Sequence, residues 1–139
     1  MSIKLGMDAK LNYKVGAGAW TALGNVKDVT LNLETGEADV TTRANNGWRA
    51  MVATLKSASV EFEMVWDTTD AGFKAIKDAF FGNTAISLQI LDGAAGQGLQ
   101  ADFSITNFSR KEGLEEALTV SVTAKVTYSA TAPSWIGGS

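Results

Sequence analysis

The stretch Lys56-Ser-Ala-Ser-Val-Glu-Phe-Glu-Met-Val-Trp66 decides the fold class. Ala58, Val60, Phe62, Met64 and Trp66 share one parity, and Ser57, Ser59, Glu61, Glu63 and Val65 share the other. In an extended chain successive side chains leave on opposite sides, so this alternation is that of a strand with one buried and one polar face.

The same period recurs on both sides of it. Leu118, Val120, Val122, Ala124, Val126 and Tyr128 alternate with Thr119, Ser121, Thr123, Lys125 and Thr127, and the threonines suit a pleated surface. Leu99, Ala101, Phe103 and Ile105 form a further strand, as do Ile86, Leu88 and Ile90, and a short one holds Leu11, Tyr13 and Val15. Val26, Val29, Leu31 and Leu33 make another, with a change of phase at Lys27 that predicts a bulge. Turn residues separate these runs: Gly16-Ala-Gly18, Asp92 to Gly98, and Arg110-Lys-Glu-Gly113.

One segment keeps a different period. Between Asp67 and Phe81 the apolar residues Phe73, Ile76, Ala79 and Phe80 repeat at helical spacing. Thr68 or Thr69 is the expected N-cap, Asp70 complements the positive helix end, and Gly82-Asn83 stops it. The residues therefore predict a single mainly β domain over 1–139, with one helix about 67–81 covering the strands. Two regions fall outside this core: a long polar loop about 34–50, and a C-terminal arm, 129–139, with Trp135 and Ile136.

Composition narrows the chemistry. Hydrophobic residues make up 45% of 139, enough for a packed core. Cysteine and histidine are both absent, which removes disulfides, thiolate metal sites and the commonest general base and metal ligand together. The net charge of −3 provides no basic footprint for nucleic acid. No apolar run is long enough for a signal peptide or a membrane span, so folding in the cytoplasm of the producing cell is expected.

Individual motifs do not supply a catalytic centre. Lys56 and Ser57 are adjacent on a strand and point apart, so a serine–lysine mechanism fails on geometry. Glu61 and Glu63 share a face and read as a solvated or inter-subunit surface. The acids Glu112, Glu115 and Glu116 read as loop charge, and Lys74 and Lys77 as a solvated helix face. Gly93, Gly96 and Gly98 lack the strand–loop–helix setting of a phosphate cradle. The chain is therefore expected not to be an enzyme and to need no cofactor or metal. Trp66 and Trp20 read as core or edge cover. Trp48 and Trp135 read as interface residues, because tryptophan is enriched where surfaces meet.

The order of elements, together with Val29-Thr-Leu-Asn-Leu33, Arg43-Ala-Asn-Asn-Gly-Trp-Arg49, Lys56 to Met64 and Thr119 to Trp135, resembles the major tail (tail tube) proteins of long-tailed, siphophage-like bacteriophages. That resemblance implies a β-sandwich or barrel of two packed antiparallel sheets with one flanking α-helix. It implies hexameric rings that stack around a tape measure protein, meet tail completion and baseplate proteins, and pass double-stranded DNA. It places the chain in the virion tail, after assembly in the host cytoplasm. It also implies that the termini order on assembly. Thr35, Glu37, Arg43, Asn46, Trp48, Arg49, Trp135 and Ile136 are then the expected inter-subunit contacts, with Glu61 and Glu63 facing the lumen. The alternative is a β-sandwich binding module for carbohydrate or a host surface, with Trp48 and Trp135 as stacking platforms.

Overall fold

The computed structural model describes residues 5–16, 18–93, 96–115 and 117–137. A short 3-10 turn, Gly6–Asp8, leads into β1 (Lys10–Lys14) and β2 (Thr21–Ala22). These are followed by β3 (Val26–Asp39), a second 3-10 turn (Arg43–Asn45), β4 (Met51–Val65) and α1 (Ala71–Gly82). The chain ends with β5 (Ile86–Leu91), β6 (Gly98–Lys111), β7 (Thr119–Val126) and β8 (Ser134–Ile136).

The mainly β fold with one helix is as expected, but in place of two packed sheets the strands form one continuous antiparallel sheet. Its order is β2-β1-β5-β6-β7-β4-β3, with β8 paired to the start of β6. The connection between β2 and β3 shows that this sheet curls. Leu23 N–H donates to Leu11 O on β1, and Asn25 O accepts from Val65 N–H on β4, near the opposite edge. Residues two apart have Cα atoms at most about 7.6 Å from each other. The two edges of the sheet are therefore brought almost together there. The bulge expected near Lys27 appears as a register shift between Val26 and Val29, where extra local twist helps the sheet to turn.

The inward face carries the parities read from the sequence. Val60, Phe62 and Met64 of β4 join Val120, Val122 and Ala124 of β7, Phe103 and Ile105 of β6, and Ile86 and Leu88 of β5 in one buried cluster. Burying a side chain of this size is worth roughly 1.5–3 kcal/mol relative to leaving it exposed. Phe73, Ile76 and Ala79 of α1 close the cluster on one side, with Phe80 packed against it. Trp66 meets Phe73 edge-on at 4.7 Å between ring centroids.

The helix begins later than the threonines predicted. Asp70 is the N-cap and accepts from Phe73 N–H at 2.9 Å. Thr68 and Thr69 instead belong to a turn in which Asp67 accepts from both the backbone and the hydroxyl of Thr69. This placement wins because the carboxylate one residue before the first helical turn reaches the free N–H three residues on. Asn83, not Gly82, takes the left-handed conformation that ends the helix, with φ of 53°.

β3 and β4 run far beyond the body. β7 pairs with β4 only from Ser59 to Val65, while β3 pairs with β4 from Val26 to Asp39. Residues 34–39 and 51–57 therefore form a two-stranded arm. The sequence reading of about 34–50 as a long polar loop placed Thr35-Gly36-Glu37 outside the strands. In the structure it is a register shift within a continuing hairpin, between Thr35 and Glu37.

Candidate assembly surface

The arm leaves both polar backbone and apolar side chains unpaired. β3 is the last strand of the sheet, so one of its edges is open along its length. β4 has a second open edge over residues 51–58, where β7 no longer reaches it. Such edges are templates for pairing with another chain. Leu33, Val40, Trp48, Met51, Val52 and Leu55, all on or beside the arm, are exposed. Leu33 was read with the core strand, but the arm leaves the body at that point and takes the side chain with it.

The tip of the arm is built with defined geometry. Val40 N–H donates to Ala50 O, and the Thr41 hydroxyl oxygen accepts from Ala50 N–H at 2.8 Å. Asp39 accepts from Thr41 N–H, and the hydrogen bonds of Thr41 hold the Asp39 carboxyl below its ordinary range. Asn46 and Gly47 both have positive φ, 53° and 86°, and close a tight turn in which Trp48 N–H donates to Asn45 O. Asn and Gly tolerate that backbone where other residues do not. Arg43, Asn46, Trp48 and Arg49 are thus displayed together on an ordered tip, with Trp48 78% exposed. Among the described residues neither Arg43 nor Arg49 enters an ion pair.

Thr35 and Glu37 lie lower on the arm, opposite Lys56 and Ala53, and both are exposed. The Thr35 hydroxyl donates to Leu55 O across the pair at 3.3 Å. Trp135 and Ile136 belong to a different place. They form β8, opposite Leu99 and Gly98 of β6, and the Trp135 indole N–H donates to Gln97 Oε1 at 3.0 Å. Trp135 forms one wall of a cleft of about 620 Å³ with Leu33, Lys56, Ala58, Leu99 and Val126 at the base of the arm. About five strand residues, roughly 16 Å at strand rise, separate that base from the tip. Trp48 and Trp135 are therefore not two walls of one aromatic site, and the binding-module reading loses the feature it rested on.

The C-terminal segment is docked, not loose. The Ser129 hydroxyl donates to Asp102, as does that of Ser87, and Thr131 N–H donates to Ser129 Oγ. The hydroxyl of Ser129, then that of Ser87, with a smaller effect of Lys14, lower the Asp102 carboxyl from its ordinary range. Sequence reading missed Asp102 and Gln97 because each is an ordinary polar residue at a strand or turn. Only the fold brings the tail to them.

Glu61 and Glu63 occupy the polar face of β4, beside Thr123 and Ser121 of β7, with Glu61 exposed and Glu63 half-buried. Of the acidic trio in the β6–β7 connection, Glu112 and Glu115 are exposed, while Glu116 is outside the described residues. No group of three potential metal-ligating side chains occurs among the described residues. No described helix is long and apolar enough to cross a membrane.

A curled sheet whose arm leaves two strand edges and six apolar side chains uncovered is built to pair with further chains. The sequence matches the family described as phage tail tube protein over residues 8–131, which is nearly the whole chain, and the chain belongs to that family. Its role is structural, in the building of a tube. Among solved structures, the fold is similar to the tail of an empty gene transfer agent particle determined with six-fold symmetry. The TM-score is 0.80 at 20% identity, over 97% of this chain and 100% of that one. It is also similar to the SPP1 tail tube, with a TM-score of 0.76 at 19% identity over 98% and 80% of the two chains. The baseplate of the anti-feeding prophage is more distant, at a TM-score of 0.63 and 7% identity. No curated protein matches the sequence.

Proposed function

We propose that this chain forms rings, six subunits to a ring, that stack into the tail tube of a phage-like particle, and that it acts without catalysis. Rings would stack around a tape measure protein and end against completion and baseplate proteins. Double-stranded DNA would pass through the finished lumen without specific binding. Assembly would take place in the host cytoplasm. The six-fold symmetry of the similar gene transfer agent tail supports the ring size.

The observation that carries the reading is the arm. A hairpin leaving the body with two open edges, six exposed apolar side chains and a rigid tip is costly to display on a monomer. It becomes favourable when a neighbouring subunit covers it. Thr35, Glu37, Arg43, Asn46, Trp48 and Arg49 are the contacts assigned to it, with Trp135, which lines the cleft at its base, and Ile136 beside it on β8. Glu61 and Glu63 are assigned to the lumen, where a hydroxyl-rich and mildly acidic face would repel phosphates instead of holding them.

The test is removal of the tip. Asp39 and Met51 are a paired position, so Val40–Ala50 can be replaced by Asn-Gly, which closes a two-residue hairpin. The expected product is a folded monomer that forms no rings or tubes in negative-stain images. Tubes formed at the wild-type rate would refute the role given to the arm.

A further inference from the structure

The arm tip and the β6–β7 connection lie at opposite ends of β4. Arg49 comes just before β4 begins at Met51, and Leu118 O accepts from Trp66 N–H just after it ends at Val65. Fifteen residues of strand separate them, a span of about 50 Å at 3.3 Å per residue. These two ends are complementary. The sequence from Val40 to Ala50 contains Arg43 and Arg49 and no acid. The β6–β7 connection begins with Glu112, Gly113, Leu114 and Glu115, and Leu114 is fully exposed.

Asp67 is engaged by Thr69, and Asp70 caps α1. Glu61 and Glu63 sit on a serine- and threonine-rich face without an exposed large apolar neighbour. The Leu114 turn sets two exposed acids beside a fully exposed leucine, at the end of β4 opposite the arm tip. Arg110 lies over the Trp66 ring at 5.0 Å and reaches Glu112 at 3.4 Å, the exposed Lys111 ends β6 beside it, and Glu115 enters no ion pair among the described residues.

We propose that the arm tip of one subunit docks on the β6–β7 turn of a second copy of this chain, Trp48 against Leu114, with Arg43 and Arg49 facing Glu112 and Glu115. The proposal rests on the tube reading above and adds the receiving surface. A contact between opposite ends of one molecule is heterologous, so repeating it extends an assembly along an axis. The like pairing, tip to tip, would set guanidinium against guanidinium. Complementary charge fixes which end meets which, and the indole and the leucine supply the buried anchor.

Two double variants test this, Arg43→Glu with Arg49→Glu, and Glu112→Lys with Glu115→Lys. All four residues are exposed, and circular dichroism checks that each variant is folded. Should a double variant be unfolded, the single reversals Arg49→Glu and Glu115→Lys carry the same test. Each variant alone is expected to need on the order of tenfold more protein to polymerise, because attraction at each contact becomes repulsion. Mixed in equal amounts, the two should copolymerise near the wild-type concentration, since the acidic tip of one then fits the basic turn of the other. Wild-type tubes together with variants that polymerise normally alone, or that stay defective when mixed, would overturn this docking and leave the tube reading standing. Absence of wild-type tubes would overturn both.

Discussion

Phe73 and Phe81 are the same residue type on the same helix, and the structure assigns them opposite consequences. Phe73 is 2% exposed and packs against Trp66 at 4.7 Å and Phe108 at 6.1 Å between ring centroids. Phe81 is 72% exposed, and its ring meets that of the neighbouring Phe80 edge-on. Truncating a buried phenylalanine loses its transfer free energy and leaves a cavity, together about 3–5 kcal/mol. The two aromatic contacts belong to the same loss and favour the upper part of that range. Alanine is a better helix former by about 0.5 kcal/mol, which offsets a little. For a domain of this size the melting temperature of Phe73→Ala should fall by roughly 10–25 °C. Phe81→Ala should change stability by about 0.5 kcal/mol or less. Urea unfolding followed by far-ultraviolet circular dichroism measures both, with an unchanged slope as the sign that the unfolded state is unaffected. If Phe73→Ala does not fold, Phe73→Leu gives the same comparison at a smaller cost. A loss below about 1.5 kcal/mol for Phe73→Ala, or equal losses for the two truncations, would refute the placement of the helix on the sheet.

Asp70→Ala should cost about 0.5–2 kcal/mol by removing the cap on Phe73 N–H, and Thr69→Ala less than half of that; denaturant midpoints decide between them. Asp102 binds Ser129 and Ser87 as a carboxylate, and its pKa is lowered on folding. Its stabilisation of the tail is therefore present above the ordinary aspartate range and is lost as the pH falls through the folded value, below 3.8. The protection factors for amide exchange at Ser134–Ile136, referred to the intrinsic rate at each pH, should be high at neutral pH and fall in that acid window, and Asp102→Asn should lower them at neutral pH. Protection that does not change with pH or with Asp102→Asn would show that β8 holds without the latch. Glu61→Lys with Glu63→Lys should leave tubes intact and slow DNA ejection from particles that carry them. Ejection at the normal rate would remove these residues from the lumen.

The sequence by itself determined the elements that are decided locally. Side-chain parity in Ser57–Trp66 and along Thr119–Val126 marks which residues face inward, because a strand repeats every two residues, whereas Tyr128, read with the same parity, lies beyond the end of β7 and is exposed. Phe73, Ile76 and Ala79 mark the helix face for the same kind of reason, and the phase change at Lys27 marks the bulge. The absence of histidine and cysteine limits the chemistry without any coordinates. What only the tertiary structure decided is how far pairing extends and where distant segments meet. Residues 34–39 read as part of a polar loop, yet β4 supplies partners on the far side of a bulge and the strand continues through Asp39. Leu33 has the parity of a core residue, and its exposure follows from β7 ending at Val126, a fact about another strand. Trp48 and Trp135 look equivalent in the sequence as tryptophans outside the core. The fold sends one to the tip of an arm and docks the other on β6 through Gln97, because hydrogen-bond partners 38 residues apart are set by topology and not by local pattern.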